Sequence, residues 1–264
     1  MRARVLLPLL LALYGCGAFA APSTVFLEEL TWTEVRDEIR AGRTTIIVPV
    51  GGTEQNGPAI ALGKHNARVG LLSARIALAL GNALVAPVIA YVPEGALSPP
   101  SGHMRFAGTI TVPDATFDQV IEYAARSFGA HGFRHIVLLG DHGGYQKNLQ
   151  AVADRLNRQW AATPVRVLAV PEYYRAAQAD FAQALRQRGF RDEEIGGHAG
   201  LADTALTLAL APQLVRVDRL QQPVGAPDGV HGDPRRATAE LGQVGVETII
   251  TRTVDAIRKA TAPH

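Results

Sequence analysis

The stretch TTIIVPVGGTEQNGPAIALGKHN, residues 44–66, decides the fold. Its first seven residues form a short, β-branched apolar run that ends in two glycines, which reads as a buried strand. The residues that follow are polar. Glu54, Asn56 and His65 stand on what should be a loop just past the strand's carboxyl end. Glycines at this point let the chain turn sharply and bring a side chain back over the strand end.

Working outward, residues 66–80 carry Val69, Leu72, Ile76 and Leu80 at helical spacing. NALVAPVIAYV (82–92) is a further strand region, and GTITV (108–112) reads as a short strand, with Asp114 placed to cap a helix over 115–130. RHIVLLG (134–140) is a second buried strand that leads through DHGGYQ into a helix over 146–161. PVRVLAV (164–170) is a third strand, followed by a helix over 172–188. HAGLADTALTLAL (198–210) opens as a loop and continues as an apolar helix. The tail from Arg235 to Lys259 reads as helical, with Gly242 and Gly245 weakening its middle. Strands alternating with helices imply parallel β-α-β units. The expected fold is therefore an α/β three-layer α/β/α sandwich with a mainly parallel central sheet, as a single domain over 21–264. Sites in such sheets gather at the strands' carboxyl ends. The polar loops at 51–66 and 140–146 should then meet at one rim, which is the reason to pool Glu54, His65 and His142.

The first twenty residues, MRARVLLPLLLALYGCGAFA, have a basic start, an apolar stretch and an Ala-Phe-Ala end, the pattern of a cleaved signal peptide. The expected location is periplasmic or secreted. The competing reading makes Cys16 a lipid-anchored first residue, but Tyr14 is bulky where small residues are usual. Cleavage removes Arg2, Arg4 and no acid, so the formal charge falls from +2 to zero. A neutral chain argues against nucleic acid as a partner, and against a membrane role beyond export. The only cysteine leaves as well, so a metal must be held by His, Asp or Glu.

Among these residues, Glu54, His65 and His142 offer three nitrogen and oxygen ligands with room for a water, a common make-up for hydrolytic zinc. Alone, Glu54 reads as a solvated loop carboxylate and His65 as a helix-start residue bonded to local backbone, whereas His142, between Asp141 and two glycines after an apolar strand, is the more suggestive ligand. GGHAGLADT adds His198, as proton donor to a leaving nitrogen, and Asp203, as base, orienting group or additional ligand, or simply as a favourable charge near a helix start. His103 could line a pocket. His131 and His135 fall at the opposite end of the sheet and read as structural or solvated, and His231 as part of a turn before the last helix.

Five stretches, in order, resemble the creatininase (creatinine amidohydrolase) family over about Leu27 to Arg258: VPVGGTEQNGPAIALGKHN, HMRFAGTITV, GFRHIVLLGDHGGYQ, HAGLADTALTLAL and GVHGDPRRATAELG. The resemblance implies an α/β/α layered, metal-dependent amidohydrolase acting on non-peptide C–N bonds of a small linear or cyclic amide. It also implies a homo-oligomer, often a hexamer. Glu54 and His142 fall at ligands of the family's first metal. The family's bridging aspartate falls at His65, its second-metal histidine at Asn56 and its second-metal glutamate at Gly144. An imidazole bridges two metals poorly. The expectation is therefore one divalent ion, zinc or else manganese or iron, on Glu54, His65 and His142. His198 and Asp203 match the catalytic histidine and its neighbouring carboxylate, while Asn56, His103, Gly143 and Gly144 would meet water or substrate. The alternative is a catalytically inactive, creatininase-like periplasmic binding protein.

Overall fold

A computed structural model describes residues 24–262, so the expected leader and Cys16 lie outside the described residues. In chain order the elements are α1 Trp32–Arg40, β1 Thr45–Val50, α2 Lys64–Leu80, β2 Ala83–Val85, α3 Asp114–Ala130, β3 His135–Gly140, α4 Gln146–Gln159, β4 Arg166–Ala169, α5 Pro171–Arg175, α6 Phe181–Arg186, α7 Asp192–Ile195, α8 Leu201–Leu210 and α9 Ala239–Thr261. A π-helical turn, Ala176–Asp180, joins α5 to α6. The four strands are all parallel, in the order β2-β1-β3-β4.

Strand periodicity divides the core into two layers. Ile46, Val48 and Val50 of β1 and Ile136 and Leu138 of β3 pack against Phe117, Ile121 and Ala125 of α3 and Leu149, Val152 and Leu156 of α4. Ile47 of β1 and Val137 and Leu139 of β3 face the other way, onto α2, α5, α6, α8 and α9. Both faces are covered, which is why these strands read as unbroken apolar runs. This is the expected three-layer α/β arrangement. Pro49 is tolerated inside β1 because its outer neighbour, Ile89, asks only for its carbonyl. Ile89 N–H donates to Pro49 O (3.0 Å), and Ile89 O accepts from Gly51 N–H (3.0 Å).

Three expectations shift. GTITV joins no strand: Gly108 lies in a turn (φ 88°), and Ile110 N–H reaches Thr53 O and Val112 N–H reaches Val92 O as separate bonds. Pro113 takes the cap position of α3, so Asp114 is that helix's first residue. The tail helix begins at Ala239, after a 3-10 turn Pro234–Arg236. Helix α1 is additional to the sequence-based expectations. Its signal was present in Thr31 and Glu34, which bond reciprocally as a capping box.

The glycines of α9 prove to be contact residues. A β-carbon at Gly242 would collide with Ala205 O of α8, and one at Gly245 would lie 2.9 Å from the Phe181 ring. Alanine normally stabilises a helix over glycine by about 0.5–1 kcal/mol; here the overpacking cost of about 1–3 kcal/mol should win. Gly242→Ala is expected to lower the melting temperature by several degrees in circular dichroism, whereas an unchanged or raised value would show that α8 and α9 separate freely.

Candidate metal centre

The pairing of β1 with β3 sets the site. Their register runs from Thr45↔His135 to Val50↔Gly140, so both strands end at the same level. Beyond that level the loops are tied together by Tyr145, whose buried hydroxyl donates to Val50 O (2.7 Å) and accepts from His142 N–H (3.1 Å). Gly51 and Gly52 pass close under Asn66, whose Oδ1 accepts from Gly52 N–H (2.9 Å). A β-carbon at Gly52 would lie 2.8 Å from Glu94 Oε1. Glu94 and His103 come from one loop that folds back on itself. His103 N–H donates to Glu94 O (3.2 Å), and Gly95 (φ 129°) and Gly102 (φ 55°) take conformations that suit glycine.

Glu54 is the hub, 0% exposed. Its Oε1 lies 2.7 Å from His65 Nε2, 3.6 Å from His198 Nδ1 and 3.8 Å from Lys64 Nζ. Its Oε2 lies 3.0 Å from His103 Nε2 and 3.4 Å from His142 Nε2, yet has no hydrogen-bond partner among the described residues. Both oxygens of buried Glu94 are equally unpaired, and Glu94 Oε1 is 3.7 Å from His142 Nδ1. Ligand atoms of Glu54, Glu94, His103 and His142 all lie within 4.8 Å of one another. Buried carboxylate oxygens without donors are costly, and a divalent cation on two carboxylates and two imidazoles removes that cost. The donor set fits zinc or manganese.

The electrostatics agree. Burial opposes the Glu54 charge, but the imidazoles of His103 and His65 and the Lys64 ammonium hold its carboxyl well below the usual range. Burial, followed by the Glu54 charge, pushes Glu94 up to about 9. Burial lowers His142 to about 4, which leaves it a neutral imidazole with a lone pair to give.

The residues expected from the sequence fall into place unevenly. His142, His103 and His198 line a cavity of about 830 Å³, and buried Glu54 stands behind them, within 3.0–3.6 Å of all three. His65 was expected as the third ligand but stands outside the four-residue group. Its Nδ1 is 2.6 Å from Asp141 Oδ2 and its Nε2 2.7 Å from Glu54 Oε1, so both nitrogens are occupied by carboxylates. Asn56 was expected to face water or substrate; it is buried instead, its amide donating to Glu54 O (2.9 Å) and Ala61 O (3.1 Å). Gly143 lines the cavity beside Tyr174. Gly144 sits beneath the His142 ring, its N–H 3.3 Å from Nδ1, where a β-carbon would come 3.0 Å from the ring. Asp203 reaches the cavity with both oxygens taken, Oδ2 by Lys64 (2.6 Å) and Ala199 N–H (2.9 Å) and Oδ1 by Arg68 (2.6 Å). Its burial is outweighed by the Lys64 and Arg68 charges, which keep it ionised well below the usual range. With both oxygens bonded it is an anchor rather than a free base.

Sequence reasoning passed over Glu94, Lys64, Arg68, Asp141 and Gln55. Arg68 and Asp141 pair at 2.8 Å, and Tyr173 donates to Asp141 Oδ1 (2.7 Å). Gln55 bonds Gly229 O (3.1 Å) and sits 3.1 Å from ring nitrogens of His103 and His198. His231, expected in a turn, pairs its backbone with His198 and lines the same cavity. The one local signal was the cationic Lys64 beside His65 at a helix start, where cations are disfavoured.

A pH signature follows for the metal-free protein. Folded Glu94 keeps its proton to about 9, whereas the unfolded chain loses it above about 4.5. Glu94 therefore makes the metal-free fold less stable as pH rises between those values, by at most about 1.4 kcal/mol per pH unit. Glu94→Gln should gain stability relative to wild type when urea unfolding is moved from about pH 5 to about pH 8. Parallel slopes in the two proteins would contradict this assignment.

Comparison with known proteins places the chain. The family model for creatininase, described as creatinine amidohydrolase, matches residues 28–257. The chain is 28% identical to creatinine amidohydrolase of Pseudomonas putida over 261 residues, covering 91% of this chain and 98% of that protein. It is 24% identical over 265 residues to 3-dehydro-scyllo-inosose hydrolase of Thermotoga maritima, covering 87% and 81%. A crystal structure of creatininase superimposes with TM-score 0.76 at 26% identity, covering 92% of this chain and 100% of that one. Other creatininase structures of similar score are described as a manganese form and a Zn-Zn type. With nearly the whole described chain inside the family's match, and a buried group of glutamates and histidines at the strand ends, this protein belongs to the creatininase family.

Proposed function

We propose that the chain is a metal-dependent amidohydrolase that cleaves a non-peptide C–N bond in a small linear or cyclic amide. The single observation that carries this reading is the set of unpaired, buried oxygens on Glu54 and Glu94, facing His103 and His142, two residues that line the 830 Å³ cavity. One divalent ion fits there, zinc being the first expectation from the donors, with Glu54 and His142 shared with the sequence-based set and Glu94 and His103 completing it. When bound, such an ion lowers the pKa of a water and polarises a carbonyl.

The chain's own residues then divide the remaining work. His65, held by Asp141, donates to Glu54 Oε1 and so turns Oε2 toward the ligand group. His198 Nε2 is 2.9 Å from Gln55 O, a bond that needs the proton on Nε2. Nδ1 is thereby left as a lone pair on the Glu54 side. Burial, followed by the Lys64 charge, lowers His198 to about 4, so at neutral pH the ring is an uncharged acceptor. It takes a proton from water and returns it to the departing nitrogen. Asp203 holds the His198 loop, accepting from Ala199 N–H, while Ala199 itself sits at φ 52°. Backbone strain of this kind is kept where surroundings over-determine it.

Export to the periplasm and assembly into a homo-oligomer belong to the same proposal. The leader pattern of residues 1–20 supports the first. Exposed Tyr91 and Leu97, close in sequence to Glu94, support the second.

The test combines metal analysis with a panel of cyclic and linear amides. Glu54→Gln is expected to lose both bound ion and turnover. His198→Ala should keep the ion and lower kcat by roughly 10²–10⁴-fold, with KM changing far less. A wild-type chain that holds no ion after incubation with zinc and manganese would favour the inactive binding protein instead.

A further inference from the structure

Lys64 is 0% exposed, yet it borders the cavity with Asp203, His65 and His198. A fully buried ammonium is rare unless it is paired. Its Nζ donates to Asp203 Oδ2 at 2.6 Å and stands 3.8 Å from Glu54 Oε1. Of its three N–H groups, only one has a hydrogen-bond partner among the described residues.

The two oxygens of Glu54 therefore face different worlds. Oε2 faces the unpaired group of Glu94, His103 and His142. Oε1 faces His65, His198 and Lys64, with Asp203 just behind. In a two-ion centre, a shared carboxylate would have a cation on each side. Here one side holds a ligand set for a metal and the other already holds a charge belonging to the chain. We propose that the Lys64 ammonium is the second cation of this centre, standing on the Oε1 side of Glu54 between that carboxylate and Asp203, so that the centre takes one divalent ion rather than two.

The consequence is chemical as well as stoichiometric. An ammonium donates hydrogen bonds but has no open coordination position, so it supplies positive charge without a second activated water. Arg68 cannot do the same, because its guanidinium is spent on Asp141 and Asp203. The inference rests on the zinc centre proposed above and adds the identity of the group that closes its second side.

The experiment is a zinc titration of the metal-free full chain by calorimetry and equilibrium dialysis, with folding checked by circular dichroism. Wild type is expected to bind one Zn²⁺. Lys64→Ala, which vacates the space between Glu54 and Asp203, should bind two, the second more weakly. That second ion should be lost again in Lys64→Ala/Asp203→Asn. Lys64→Met keeps the buried stem and serves where the alanine variant fails to fold; it too should gain zinc relative to wild type. Lys64→Arg, which keeps the charge, should stay at one. One ion in wild type and still one in both Lys64→Ala and Lys64→Met would overturn the role of Lys64 alone. Two ions in wild type would do so as well, as would a second ion that survives the Asp203→Asn change. No zinc in wild type would instead remove the metal centre itself, and the proposal with it.

Discussion

The structure is organised around one difficulty, a carboxylate with no access to solvent. Glu54 keeps its charge at the end of the central strand only because every direction around it is answered. His65 donates to one oxygen, Lys64 adds a nearby positive charge, and the other oxygen faces two imidazoles. An isolated buried carboxylate would take up a proton instead. Neighbouring Glu94, which lacks such partners, is pushed up to about 9 by burial and the Glu54 charge. The contrast between the two glutamates is what marks the Oε2 side as the place for a metal.

Behind this hub lies a second layer of paired charge. Asp141 joins His65, Arg68 and Tyr173, while Asp203 joins Arg68, Lys64 and the Ala199 backbone. Removing one member of a buried pair commonly costs about 3–5 kcal/mol, because the partner is left charged and alone. The network is therefore rigid by necessity. It fixes helix α2 against α8 and the end of β3, and with them the orientation of His65 and His198. A site that must hold water and amide in register needs this preorganisation.

Much of the fold was legible before any coordinates. The runs at 44–50 and 134–140 are β-branched and bounded by glycine, and they became β1 and β3 within one residue at each end. Their shared polar sequel placed Glu54 and His142 at one rim. GTITV misled because β propensity describes an extended chain equally well when no neighbouring strand is available. The glycines of α9 looked like weaknesses because helix propensity knows nothing of a second helix. In the fold they are the close approach of α8 and α9. At the site, His65 read as a ligand because its loop follows β1 and was expected to meet the 140–146 loop at one rim. Its real surroundings, two carboxylates from residues 54 and 141, bond both ring nitrogens.

By itself, then, the sequence determined the strand and helix periods, the parallel layering and the presence of Glu54 and His142 at the strand ends, because those properties are written in local patterns of apolar residues and glycines. Only the tertiary structure decided which groups face the open oxygen of Glu54. Glu94 and His103 arrive on a loop some forty residues downstream, closed by Gly95 and Gly102, and Lys64 is turned inward by Asp203, 139 residues further along the chain. Neither approach has a periodic signature. Each is selected by the cost of leaving buried charge unanswered, and that cost exists only once the chain has folded around it.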